Sequence, residues 1–156
     1  VLWSHPQAST RCSMSIQSIL DHKGSKVVTI APDTRVGAAA HRLRLEHIGA
    51  IIITSGDHIE GILSERDIVY GLTEHGAAVV DLPVSALMSR NVHTCRPDAD
   101  IRDVMRLMTQ HRIRHVPVVE NGVLRGIVSI GDVVKSRLEN MELETNVLRD
   151  YAVAHQ

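Results

Sequence analysis

The chain has 156 residues, enough for one ordinary domain or two small, closely packed ones. Apolar residues make up 44%, which supplies a core and argues against global disorder. The formal net charge of −1 excludes a chain-wide basic surface for nucleic acid, and no apolar run approaches the roughly 20 residues of a membrane span.

The chain opens on Val1-Leu2-Trp3-Ser4-His5-Pro6-Gln7. Trp3 to Gln7 match the start of a common affinity tag, and Met14-Ser15-Ile16 would make a cleaner beginning. Residues 1–13 are expected to be a tag remnant, a misplaced start or a native tail, and are set aside from the fold. No secretory signal pattern is read at the start. Cys12 and Cys95 stand alone without CxxC spacing, which fits a reducing cytoplasm better than a disulfide framework. Phe is absent and Trp3, Tyr70 and Tyr151 are the aromatics, so a flat ligand would be gripped by aliphatic side chains and backbone.

From residue 27 onward the chain repeats itself. Residues 27–69 align with 92–134 without a gap, with identities at Val27/Val92, Thr29/Thr94, Pro32/Pro97, Asp33/Asp98, Ile48/Ile113, Gly61/Gly126, Ile62/Ile127, Ser64/Ser129, Asp67/Asp132 and Val69/Val134. Each unit begins with a β-rich piece, 27–30 or 92–95. A Pro-Asp turn follows, from which Asp33 or Asp98 can cap the coming helix. Helical spacing places Val36, Ala39, Ala40 and Leu43 on one face in unit one, and Ile101, Val104, Met105 and Met108 in unit two. The runs 50–54 and 116–119 are continuously apolar and predict strands buried on both faces. Gly56-Asp57 and Asn121-Gly122 predict hairpin turns. Return strands run over 59–63 and 123–128, and Ser64 or Ser129 opens a second helix. Each unit is thus β-α-β-β-α. One copy is too small to bury its own faces well, so two are expected to pack about a pseudo-two-fold axis.

The second strand-to-helix junction carries the chemistry. Ser64-Glu65-Arg66-Asp67 fits the helix-start pattern in which Ser caps an amide and Asp reaches back as the capping-box acid. For a single such motif this structural role is the better explanation. The same geometry also suits a nucleoside phosphate. A helix N-terminus favours phosphate, a Ser hydroxyl adds a donor, and an Asp one turn in can accept both ribose hydroxyls. The pattern occurs twice, beside aliphatic strands that can sandwich a purine.

On these features the chain resembles a tandem pair of cystathionine-β-synthase-type (CBS) domains, a Bateman module. The features are Val27-Val28-Thr29-Ile30-Ala31-Pro32-Asp33, Gly61-Ile62-Leu63-Ser64-Glu65-Arg66-Asp67, Arg114-His115-Val116-Pro117-Val118-Val119 and Gly126-Ile127-Val128-Ser129-Ile130-Gly131-Asp132. The likeness covers roughly residues 14 to 155. The expected architecture is mixed α/β (α+β) with a long C-terminal helix. Repeat one is placed at 14–76, repeat two at 77–136 and a helical extension at 137–156.

The resemblance implies adenine nucleotides in the clefts between repeats. Asp67 and Asp132 would take riboses, Ser64 and Ser129 phosphates, and Thr29 and Thr94 the base or ribose side. The backbone of Ala50-Ile51-Ile52 and of His115-Val116-Pro117 would read the adenine edge, and Ile130 beside Ser129 joins the set. Unit two carries Arg114-His115 where unit one has Gly49-Ala50, and unit one carries Arg66 where unit two has Gly131. Both repeats thus contribute cations, from different places. Unit one has Ile52 in place of Pro117. AMP and NAD(H)-type ligands rank above ATP, because monophosphates need fewer cations than Arg66, Arg114 and His115 would have to supply for a triphosphate; ADP and S-adenosylmethionine are further candidates.

Other constellations are weaker. His111 and His115 have a helical metal-ligand spacing, but a strand begins near Ile113 and breaks that register. No nucleophile is set beside a base and an orienting group. Arg112-Ile113-Arg114 is too small a basic cluster for nucleic acid. From Asp132 to Ala154 the chain lacks Gly and Pro, and Val134, Leu138, Met141, Leu148 and Ala152 form a stripe with Thr145 in the heptad gap. This stripe predicts a packed helix or a seam with a second copy; modules of the resembled kind commonly pair into disc-like dimers. The expected function is therefore a stand-alone cytoplasmic regulatory module, not an enzyme. It would bind an adenine nucleotide, form a homodimer and act on an unidentified regulated protein, with neither nucleic acid nor membrane as partner. The alternatives are a dimeric adaptor with vestigial sites and a weak nucleotide hydrolase.

Overall fold

The structure, a computed structural model, describes residues 14–154. The expectation about residues 1–13, and Cys12 with it, lies outside the described residues. The elements are α1 (Ile16–Lys23), β1 (Thr29–Ile30), α2 (Val36–Glu46), β2 (Ala50–Ser55), β3 (His58–Ser64), α3 (Glu65–His75), two 3₁₀ turns (Gly76–Asp81 and Val84–Ala86), α4 (Ile101–His111), β4 (His115–Glu120), β5 (Val123–Ser129) and α5 (Ile130–Ala154).

The two hairpins repeat in space as they do in sequence. β2 and β3 pair antiparallel, as do β4 and β5. Each hairpin carries a register shift at the matching place, between Ile53 and Thr54 and between Val118 and Val119. The turns take the left-handed conformation that Gly and Asn tolerate, at Gly56 (φ +59°), Asn121 (φ +50°) and Gly122 (φ +76°). Ala50 to Ile53 and Val116 to Val118 are buried, as continuous apolar runs require.

The opening strands are shorter than the sequence implied. In unit one only Thr29 and Ile30 pair, parallel to β2. In unit two the 92–95 strand is reduced to an isolated bridge between Cys95 and Val118, held by Cys95 N–H to the Pro117 carbonyl (3.0 Å) and Val119 N–H to the Cys95 carbonyl (2.8 Å). Helix capping also differs. The carboxylate of Asp100, not Asp98, accepts the Arg102 amide at the start of α4 (2.8 Å), and Asp98 pairs with Arg96. Arg35 precedes α2 and makes no side-chain cap, so Asp33 does not cap either. The Pro-Asp turn sits too early in the chain to reach the free amides.

The two cores exchange their leading segments. α1 belongs in sequence to unit one, but Ile16, Ile19 and Leu20 pack with Ile101, Val104, Met108, Val116, Val118, Val128 and Val133 of unit two. Conversely Val79, Val84 and Met88, which follow repeat one, pack with Val36, Ala39, Leu43, Ile51, Ile53 and Leu63. Ser15 bridges Asp100 in one exchange, and Pro83 bridges Arg35 in the other. The glycine of the doubled phrase records this packing. A Cβ on Gly61 would stand 2.7 Å from Met88 Sδ, and one on Gly126 would stand 2.7 Å from a Leu20 methyl. Neither repeat therefore closes its core alone, which ties the two into one body.

α5 buries Val133, keeps Ser136, Arg137 and Asn140 half-buried, and is exposed from Met141 onward. Leu138 (55% exposed), Met141 and Leu148 (70%) of the stripe face solvent, as do Leu143 and Val147. No helix among the described residues is long and apolar enough to cross a membrane.

Candidate functional site

Each strand-to-helix junction is pinned from three sides. At the first, Ser64 N–H donates to Asp67 Oδ2 (2.7 Å), Ser64 Oγ lies 2.8 Å from the same oxygen, and Asp67 N–H donates back to Ser64 Oγ (3.4 Å). At the second, Ser129 N–H donates to Asp132 Oδ2 (2.8 Å) and Asp132 N–H to Ser129 Oγ (3.2 Å). The capping box predicted for structural reasons thus forms in both units. The strand entering each hairpin adds a third tie, from Glu65 N–H to the Gly49 carbonyl (3.1 Å) and from Ile130 N–H to the Arg114 carbonyl (2.8 Å). Three amides at each helix start are therefore engaged without any ligand. This narrows the expectation of free amides for phosphate and shifts that work to side chains.

The junctions face two clefts. The Asp67 cleft holds about 420 Å³, within the roughly 300–1,000 Å³ of small-molecule sites. Its unit-one wall includes Gly49, Ser64, Glu65, Arg66 and Asp67, and its unit-two wall Val92, His93, His111, Arg112, Arg114 and His115. Arg66 reaches across to donate from Nη1 to the Arg112 carbonyl (3.1 Å). Arg112 closes α4 in the left-handed conformation (φ +53°), as His47 closes α2 (φ +52°). His93 and His111 stack with ring centroids 3.8 Å apart. The Asp132 cleft holds about 360 Å³ and is lined by Lys23, Lys26, Val27, Val28, Glu46, Ala50, His115, Ser129 and Asp132, among others.

His115 and Gly49 line both clefts. Burial lowers the His115 pKa below its ordinary value. The Glu65 and Asp132 carboxylates work against that, and Lys23 and Arg114 reinforce it. At Asp132, burial tends to raise the pKa. The Lys23 hydrogen bond, the Ser129 amide and the Lys23 charge outweigh it and hold the carboxyl below the ordinary range.

The structure brings Ser64, Arg66, Asp67, Arg114 and His115 to one cleft, and Ala50, His115, Ser129 and Asp132 to the other. The remaining candidates do not line either wall. Ile51, Ile52, Val116 and Pro117 are buried within the sheets; Thr29, Thr94 and Ile130 are exposed. Both faces of β2 and β4 are covered, so only the strand starts reach a cleft. The residues just before the threonines, Val27-Val28 and Val92-His93, take the places expected of Thr29 and Thr94. The identity Val27/Val92 was the available signal for them. Lys23, Lys26 and Glu46 were missed, because nothing local shows that α1 returns to the second repeat.

Comparison with known proteins agrees with this architecture. The family model of the CBS domain matches twice, over residues 21–74 and 84–139. The CBS domain-containing protein YhcV of Bacillus subtilis is 31% identical over 125 residues, covering 80% of this chain and 89% of its own. The crystal structure of the CBS-domain containing protein ATU1752 from Agrobacterium tumefaciens superposes with a TM-score of 0.78 at 45% identity, covering 80% of this chain and 99% of that one. A hexameric CBS-CP12 protein from bloom-forming cyanobacteria superposes with a TM-score of 0.70 at 28% identity, covering 78% of this chain and 67% of that one. The doubled hairpin, the doubled capping junction and the doubled family match agree: this chain belongs to the CBS-domain family, with two CBS domains in tandem.

Proposed function

We propose that this chain is an adenine-nucleotide-binding regulatory module. The ligand is of the AMP or NAD(H) type, sits between the repeats and acts through a ligand-dependent conformational change. The observation that carries this reading is the Asp67 cleft. A carboxylate at a helix start in one repeat faces Arg112, Arg114 and His115 of the other across a cavity of about 420 Å³. A ribose diol suits the carboxylate, and a phosphate suits the cations. A ligand that bridges both repeats differs in affinity between their open and closed spacings, which is what a signal requires. The cleft cations serve one or two phosphates more readily than three, which ranks AMP and NAD(H) above ATP.

The action is binding, not turnover, in a cytoplasmic setting that suits the free thiol of Cys95. The exposed stripe of α5 is the surface for a second copy, and the regulated partner would respond to the state of that dimer. Light scattering should give a dimer mass for the native chain and a monomer mass for Leu138→Glu/Leu148→Glu.

The deciding experiment is thermal unfolding with AMP, ADP, ATP, NAD, NADH and S-adenosylmethionine, on protein shown to be free of carried-over ligand. A ligand that binds the folded state raises the midpoint. A rise with an adenine nucleotide, lost in Asp67→Asn, supports the reading. No rise with any of them favours the adaptor, for which the self-satisfied capping boxes and the exposed α5 stripe would suffice. Loss of ATP or NAD over time that disappears in Asp67→Asn would instead indicate an enzyme.

A further inference from the structure

The two clefts differ in what already holds their aspartate. Leu20 stands over Gly126 as Met88 stands over Gly61, so α1 and the segment around Met88 are related by the pseudo-two-fold axis. From these segments Lys23 lines the Asp132 cleft and Asn91 the Asp67 cleft. Lys23 Nζ lies 2.6 Å from Asp132 Oδ2 and 2.9 Å from the Ile127 carbonyl. Its side chain is 34% exposed and that of Asp132 25%, so the pair is partly withdrawn from water. Asn91 is uncharged, and among the described residues no cation forms an ion pair with Asp67.

We infer that Lys23 is a tethered occupant of the Asp132 cleft, and that this chain consequently takes one adenine nucleotide, with its ribose on Asp67. The inference rests on the nucleotide reading above and assigns it to one cleft. A ribose diol and the Lys23 ammonium compete for the same carboxylate. The ammonium bond is charge-assisted and intramolecular, whereas the diol is neutral and arrives from solution. Displacing Lys23 would also strip the Ile127 carbonyl of its donor. Lys26, the other lysine at this cleft, is held by Glu46 (2.9 Å) and does not replace Lys23. At Asp67 only Ser64 and the local backbone are engaged, and Arg66 points to Arg112. Sequence alone made the two aspartates equivalent; the fold separates them by one lysine from the exchanged helix.

Calorimetric titration of the full chain with AMP tests this. The native protein should bind about one AMP per chain, and Asp67→Asn should abolish it. Lys23→Met keeps the length of the stem and removes the ammonium; it should add a second site, which Lys23→Met/Asp132→Asn removes again. Two AMP sites of similar affinity in the native chain, or no gain in Lys23→Met, would overturn the inference while leaving the nucleotide reading intact. No AMP bound by either protein would overturn the nucleotide reading for this ligand and the occupancy claim with it. The tether is checked separately in ligand-free protein by carboxylate NMR. The Asp132 midpoint should move up in Lys23→Met; an unmoved Asp132 would overturn the tether whatever AMP does.

Discussion

The imidazole of His115 lies against Gly49, so near that a Cβ on Gly49 would stand 3.0 Å from both Cε1 and Nε2. Gly49 precedes β2 of one repeat and His115 begins β4 of the other, so this contact joins the repeats beside the axis that relates them. It also forms a wall common to both clefts.

Gly49→Val should break this contact. The new side chain meets the ring at less than ordinary van der Waals separation, and the ring must turn or the repeats must part. Overpacking of this kind costs about 1–3 kcal/mol. Urea denaturation should show that loss, and the His115 ring resonances should shift, while Gly56→Ala, at an open turn, should leave the ring unmoved.

The His115 pKa predicts a pH dependence with a definite sign. Burial holds the ring neutral and its pKa low, with Glu65 and Asp132 opposing and Lys23 and Arg114 assisting. Below the ordinary His value of about 6.5 the unfolded chain takes up a proton that the folded chain resists, so stability falls as pH drops through this window. Above it the penalty is absent. His115→Leu should flatten the fall between about pH 6.5 and 5 in denaturation measured at each pH; an unchanged slope would remove His115 as its source.

The two phrase glycines should respond unequally to the same change. A Cβ at Gly61 meets Met88 and, at 2.9 Å, the backbone oxygen of Ser89; at Gly126 the close contacts are with Leu20 side-chain atoms. A side chain can turn away, but a paired backbone oxygen cannot, and Ser89 is hydrogen-bonded to Ile62 on both sides. Gly61→Ala should therefore cost more, about 2–3 kcal/mol against about 1 for Gly126→Ala, in equilibrium unfolding.

Cys95 should be a slow thiol. Burial pushes its pKa up to about 11, which leaves little thiolate near neutral pH. In a Cys12→Ser background, alkylation at pH 7.5 should be far slower than for a free thiol and should accelerate when denaturant unfolds the chain. Rapid native-state labelling would contradict the burial.

Much of this architecture was legible in the sequence because its signals are local and doubled. Continuous apolar runs fixed β2 and β4, Asn121-Gly122 and Gly56-Asp57 fixed the hairpins, and Ser-x-x-Asp fixed two helix starts. The errors came where a local signal competed with a neighbour. Asp98 looked like a cap but pairs with Arg96, and residues 92–95 looked like a strand but keep one bridge. The helix ends at His47 and Arg112 gave no glycine to read.

Two similar units with a serine–aspartate junction in each follow from local patterns alone, because hydrophobic period, turn chemistry and capping all act within a few residues. Long-range packing set how the units exchange α1 and the segment around Met88, which strand residues reach a cleft, and that Lys23 meets Asp132 across 109 positions of chain. Those outcomes depend on burying faces that neither repeat can cover alone, and no local pattern encodes which distant segment will cover them.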